Sequence, residues 1–203
     1  NNNSLFPVEE KNILRDNFIL PLNLVNLFKQ KKVNFTFFTS TEIDKIEIPD
    51  ENNMYSLSKF FLQDSLRFVL VKNKISLIKM DTVYGPHDLN FNRLIPSLML
   101  KLLLYNKKIK VRLIQQKKLI YVKNIMPVIL KTIKNKKSFN TIDIKGKNFN
   151  ILTLWKSINK TLLNKHIKIS KKNDCYNFIE TLTWYKDNLW TIKKIARKYN
   201  KIA

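Results

Sequence analysis

Two glycines in 203 residues, Gly85 and Gly146, constrain this chain more than any other feature of its sequence. Average usage would supply about 14. Glycine lets a backbone approach a ligand closely, and turns that cradle a pyrophosphate between a strand and a helix depend on several of them. No G-x-G-x-x-G or G-x-x-G-x-x-G spacing occurs anywhere. These residues cannot supply such a loop.

The remaining composition is that of a folded chain. At 44% hydrophobic content it can build one domain with a substantial core. The longest apolar run, Leu94 to Tyr105, is broken by Pro96, Ser97 and Lys101, so no transmembrane segment is expected and the chain reads as soluble or peripheral. The single Cys175 excludes an internal disulfide and a cysteine-based metal site, and fits a reducing compartment. His87 and His166 lie far apart without carboxylates clustered around them, and no metal is expected.

Charge is the second constraint. There are 38 Lys and Arg against 15 Asp and Glu, a formal net charge of +23. A surplus of that size concentrates polyanions and releases counterions from phosphates, so RNA, DNA or an anionic membrane becomes the expected partner. Only Arg15, Arg67, Arg93, Arg112 and Arg197 are arginines, in a chain also heavy in Asn, Ile and Phe. Coding sequence biased toward A and T would produce that preference for Lys without any selection for binding.

Met54-Tyr55-Ser56-Leu57-Ser58-Lys59 opens a stretch in which Phe61, Leu62, Leu66 and Val69 recur at helical spacing. On such a helix Tyr55 and Lys59 share a face one turn apart. An ammonium beside a phenol favours phenolate and lowers a pKa ordinarily near about 10, which makes a proton donor and acceptor. Two flanking blocks give the pair a context. Before it an apolar run ends in Phe37-Phe38-Thr39-Ser40-Thr41, and after it comes Ile78-Lys79-Met80-Asp81-Thr82-Val83-Tyr84-Gly85-Pro86-His87-Asp88.

In this order the three blocks resemble the extended short-chain dehydrogenase/reductase family, and within it the nucleotide-sugar epimerases and 4,6-dehydratases. The resemblance extends over residues 11 to 190. Arg93-Leu94-Ile95-Pro96 is similar to the family's Arg-x-Ile-Pro, and Glu180-Thr181-Leu182-Thr183-Trp184-Tyr185-Lys186-Asp187-Asn188 to its C-terminal Thr-x-x-Trp-Tyr helix. There are departures. Lys79 stands for an Arg, Thr82 for an Asn, Lys118 and Asn124 for acids, and 13 residues between Thr41 and Tyr55 make a short loop. The resemblance implies Tyr55 as base, Lys59 lowering its pKa and Thr41 polarising a substrate oxygen. It places Asn17 and Ser40 beside the cofactor, although Asn17 reads equally as a surface residue of an Asn-rich chain.

The expected fold class is α/β: a partial Rossmann-like parallel sheet with flanking helices, lacking the first cofactor-binding βαβ units, plus a small C-terminal helical part. A polar lead over 1–10, a truncated domain over 11–190 and a basic tail over 191–203 complete the expected layout. Helices are predicted from Glu9 to Gln30 with Pro21 as a kink or break, from Ser97 to Tyr105, from Ile125 to Ile133 and from Ile151 to Leu162. Strands are predicted over Val33–Thr41, Ile75–Met80, Lys110–Ile114, Lys118–Val122 and Thr141–Gly146.

Two classes of function remain. The first is a nucleotide-sugar epimerase or dehydratase dependent on NAD, with the glycine loop supplied by a preceding segment or a partner chain. The second is a non-catalytic, basic structural subunit of a ribonucleoprotein, a pseudoenzyme without cofactor in which Tyr55, Lys59 and Thr41 are vestigial. The missing loop and the charge favour the second. A mitochondrial ribosomal protein in the matrix is then the expected setting, contacting rRNA and neighbouring ribosomal proteins, one of which covers the exposed sheet edge. An accessory subunit of a respiratory complex is the alternative setting. Lys193, Lys194, Arg197, Lys198 and Lys201, with Lys117 and Lys118, are the expected nucleic-acid contacts. The tail's interleaved Tyr185, Trp190 and Tyr199 could lie along RNA, or the tail could be an amphipathic helix on an anionic membrane.

Overall fold

A proline in a helical pattern shapes the first element. The computed structural model describes residues 10–45, 54–69, 73–105, 116–134, 138–156 and 176–198. Helix α1 (Glu10–Leu14) continues through a π turn (Arg15–Ile19) into α2 (Leu20–Leu27). Pro21 has no N–H, and its ring crowds the carbonyl four residues back, at Asn17. The widened turn, in which the Leu20 N–H reaches the Arg15 carbonyl five residues back, admits Pro21 without a break.

Alternation then sets the sheet. Strands β1 (Asn34–Ser40) and β2 (Lys74–Met80) run parallel, with Phe35 beside Ile75 and Ser40 beside Met80. Strand β5 (Phe139–Ile144) runs parallel on the other side of β2, giving the order β1-β2-β5. Parallel neighbours need a crossover, and α3 (Met54–Phe68) makes it. Its fifteen residues include no β-branched residue, Gly or Pro, and the buried Leu62 and Leu66 seat the helix on the sheet. One face of the sheet carries Phe35, Phe37, Ile75, Leu77 and Phe139 against Val25 of α2 and Leu62 and Leu66 of α3. Each aliphatic side chain taken fully from water there contributes about 1.5–3 kcal/mol. Helix α5 (Met126–Lys134) lies against β1.

The described chain divides into two compact units. One takes the residues up to Thr82 together with Asn124–Gly146, and the other takes Val83–Lys123 with Lys147 onward. The first is the parallel-sheet unit just described.

The second unit is built on a sheet of order β3-β4-β6, made by β3 (Thr82–Tyr84), β4 (Gln116–Tyr121) and β6 (Lys147–Asn150), with β4 and β6 antiparallel. Around it stand α4 (Leu94–Tyr105), the helical residues 151–156 (α6), α7 (Tyr176–Asp187) and α8 (Leu189–Lys198). Their apolar stripes close one core that includes Tyr84, Phe91, Met99, Leu154, Phe178, Leu182, Tyr185 and Ile192. The Tyr84 and Phe178 rings stack at 4.3 Å, and the Tyr185 hydroxyl donates to the Asp88 carbonyl. The chain turns at Pro86–His87, where His87 adopts φ 69° and lies 4.5 Å from the Trp184 ring. Gly85 is required there for space: a Cβ at that position would come 2.4 Å from Val122 Cγ1.

Tyr185 is thus no RNA-facing aromatic. It is fully buried, because Phe178, Leu182 and Tyr185 recur on the inner stripe of α7. Strands β3 and β6 are additions to the expected elements, the strand expected over Lys110–Ile114 lies outside the described residues, and residues 191–198 belong to α8.

Candidate functional site

Parallel strands deliver their carboxyl ends to one side, and in the first unit a single carboxylate gathers three of them. Asp81 follows β2. Its Oδ1 accepts from Thr41 Oγ1 at 2.5 Å, and its Oδ2 accepts from the Gly146 N–H at 2.8 Å. Thr41 begins the 3-10 turn Thr41–Lys45 that follows β1, and Gly146 follows β5. The ends of β1, β2 and β5 are therefore cross-linked by one side chain. With its proton given to Asp81, Thr41 Oγ1 can accept from a ligand hydroxyl but has nothing to donate to a carbonyl.

A second pair stands beside this node. Lys79 Nζ donates to Asp44 Oδ1 at 2.8 Å, with the Lys79 side chain largely buried. The cation at position 79 is thus held by an acid of the short 41–45 turn. Ser40 Oγ accepts the Glu42 N–H at 3.2 Å, and Asn17 lies half-buried in the π turn, which packs on α3. Thr39 Oγ1 is buried and meets no hydrogen-bond partner among the described residues.

Helix α3 brings Tyr55 and Lys59 together as their spacing predicts. Lys59 Nζ stands 5.9 Å from the Tyr55 ring centroid and donates to the Phe38 carbonyl of β1 at 3.1 Å. Burial pushes the Lys59 ammonium below its ordinary value, since desolvation disfavours the charged form. Its charge therefore costs stability at neutral pH. Replacing it by Met is expected to leave the chain as stable or more stable, by up to about 1 kcal/mol, because the Phe38 carbonyl on a half-open strand edge can turn to water. The lowered value means that the unfolded chain binds the extra proton, so the penalty is full below the folded value, fades as pH rises toward 10.5 and is gone above it. Urea midpoints of parent and K59M at neutral and alkaline pH check this, and a less stable K59M at neutral pH would contradict it.

The expected nucleic-acid residues fall on two elements. Lys193, Lys194, Arg197 and Lys198 occupy the last two turns of α8, while Lys117 and Lys118 are exposed on β4 beside Phe149 and Asn148. Lys201 and Tyr199 lie outside the described residues. Among the described residues there is no cluster of potential metal ligands, and no helix is long and apolar enough to cross a membrane. Sequence reasoning overlooked Asp81, Asp44 and Gly146. An acid immediately after a buried parallel strand is the signal that marks Asp81.

No family model and no curated protein matches the sequence. Solved structures do match the fold. WbmF of Bordetella bronchiseptica in complex with NADH superposes with a TM-score of 0.71 at 18% identity, covering 90% of this chain and 68% of its own. The dTDP-glucose 4,6-dehydratase of Bacillus anthracis in complex with NAD gives a TM-score of 0.71 at 18% identity, covering 94% of this chain and 74% of its own. The UDP-N-acetylglucosamine 4-epimerase of Methanobrevibacter ruminantium, in complex with UDP-N-acetylmuramic acid, gives 0.69 at 16% identity, covering 86% and 70%.

These likenesses correct two expectations, that of a non-catalytic pseudoenzyme and that of a chain without a cofactor. Structures of this fold include a 4-epimerase and an NAD-dependent dehydratase, and others are solved with NAD or NADH bound. The reason is physical. Lack of a glycine loop bears only on the pyrophosphate end of such a cofactor, whereas the strand-end cluster and the Tyr55–Lys59 face are folded here. The mitochondrial ribosomal setting finds no support in these structures.

Proposed function

We propose that this chain, which has the α/β fold of the extended short-chain dehydrogenase/reductases, is the catalytic part of an NAD-dependent nucleotide-sugar epimerase or dehydratase. The observation that carries the reading is the Tyr55–Lys59 face of α3, held against the carboxyl-terminal half of β1 by the bond from Lys59 to the Phe38 carbonyl.

The residues present fit one end of NAD and not the other. Of the three N–H donors of Lys59, one goes to Phe38, which leaves donors for ribose hydroxyls. The buried Thr39 hydroxyl on the same strand meets no hydrogen-bond partner among the described residues, and is a further polar group to which a ligand can bond. At the pyrophosphate end there is nothing comparable, because only Gly85 and Gly146 exist and the Gly146 N–H is engaged by Asp81. That end is supplied from outside these 203 residues, by an adjoining segment or a partner chain seated along β1, the outer strand of the described parallel sheet.

When bound, NAD supplies the hydride acceptor and donor. The chain's own residues handle the proton. As phenolate the Tyr55 oxygen takes the proton of a sugar hydroxyl, and as phenol it returns one in the reverse step; the nearby ammonium of Lys59 stabilises the phenolate. Thr41, oriented by Asp81, accepts from a second hydroxyl of the sugar and so holds the ring while the reacting hydroxyl faces Tyr55. The test is purification of the tagged chain from its native source, followed by assay for bound nicotinamide and for turnover of pooled UDP- and dTDP-hexoses. Bound NAD with C4-epimerised or 4-keto product is expected. Material free of nicotinamide and inert on every sugar would overturn the reading.

A further inference from the structure

We propose that the outward stripe of α8, formed by Trp190, Lys194, Arg197 and Lys198, is a binding surface for single-stranded nucleic acid. The inference uses no residue of the proposed oxidoreductase site and stands apart from that reading.

The four residues recur at i, i+4, i+7 and i+8, which puts them on one side of the helix. The indole of Trp190 is 76% exposed, and Lys194 Nζ stands 5.5 Å from its ring centroid. On the opposite side Ile192 and Ala196 are buried in the core and Ile195 packs against it, so the helix is already seated. No acid occurs within α8, and Asp187 at its amino-terminal edge is the nearest carboxylate in sequence along the stripe.

Ordinary helix chemistry accounts for part of this arrangement. Arg197 and Lys198 in the last turn complement the carboxyl-terminal end of the helix dipole. It does not account for Lys194 in mid-helix, nor for a large aromatic ring left in water beside it. Aromatic faces flanked by Lys and Arg are what unstacked bases and their phosphates need: the ring stacks a base and the cations track the backbone. A membrane needs something else. A helix lying in a bilayer surface buries a whole apolar face among the lipids, and α8 has given its apolar face to the protein core. Among the described residues of α8, Trp190 is the large apolar side chain left exposed to insert.

Because the whole chain is strongly basic, binding alone proves little, and the test depends on Trp190. A fluorescein-labelled oligouridylate is titrated with the purified chain across a range of salt, with tryptophan emission followed in parallel. Binding that quenches Trp190 is expected. Trp190→Ala should weaken it by about fivefold to a hundredfold, the worth of one stacked base, while Trp190→Phe retains most of it. In a Lys194→Ala, Arg197→Ala double variant, the slope of log K against log salt should fall by about 1.4, the loss of two single-strand phosphate contacts. These positions face away from the core, and circular dichroism verifies that the variants stay folded. Equal binding by parent and Trp190→Ala would overturn the proposal and assign the affinity to the rest of the positive surface. So would a blue shift of Trp190 on phosphatidylserine vesicles with no response to oligouridylate.

Discussion

Replacing Tyr185 by Ala is expected to destabilise the chain by about 3–5 kcal/mol, the range for removing a buried aromatic side chain. Tyr185 is fully buried, meets Phe91 and Trp184 edge-on, and spans from α7 to the segment after Gly85 through its bond to the Asp88 carbonyl. The Ala variant removes the packing and the bond together. Tyr185→Phe removes only the bond, leaving the Asp88 carbonyl without that donor, and should cost about 1–3 kcal/mol. The pH dependence separates the two parts. Burial, and secondly the Asp88 charge, push the Tyr185 phenol above its ordinary value of 10.0. Above that value the unfolded chain loses a proton that the folded chain keeps, so this contribution is full below pH 10.0 and is lost as pH rises. Urea denaturation should show Tyr185→Phe losing less stability than the parent on going above pH 10.0. Equal midpoints for parent and Tyr185→Ala would contradict the account of the core.

The second large effect is on turnover. On the proposed oxidoreductase reading, Tyr55→Phe should lower kcat by about a hundredfold to ten-thousandfold, the usual worth of a positioned acid/base, with KM little changed. Tyr55 is 43% exposed, so the loss of its hydroxyl should leave the urea midpoint near the parent's. That combination separates chemistry from folding. Lys59→Met should combine a loss of activity with undiminished stability, the signature of a group held for function at a structural cost. A Tyr55→Phe variant with parental kcat would remove Tyr55 from the mechanism.

How far the sequence disclosed this structure depends on the length of each signal. Strands β1, β2 and β5 and helix α3 were legible because each spans several periods of its pattern. Strands β3 and β6 have three and four residues, too short for alternation to separate them from a loop. The basic residues after Tyr185 suggest a surface position, whereas the spacing from Phe178 through Leu182 puts it inside. The pairing of Tyr55 with Lys59 was local and could be read from spacing. The bridge from Asp81 to Thr41 and Gly146 joins positions 40 and 65 residues apart, and only the folded sheet brings them together. The missing glycine loop misleads about the cofactor for a related reason: it bears on one end of such a binding site and not on the whole of it.

The π turn ahead of Pro21 also bears on how chains of this kind should be compared. Each residue advances a helix by about 100°. A chain with one residue fewer between Glu10 and Leu27 would need no widened turn to keep the same two faces inward, and a gap-free alignment to it would be wrong on one side of the turn or the other. Ancestry traced through this helix should be scored separately before Arg15 and after Ile19, with a one-residue gap permitted between.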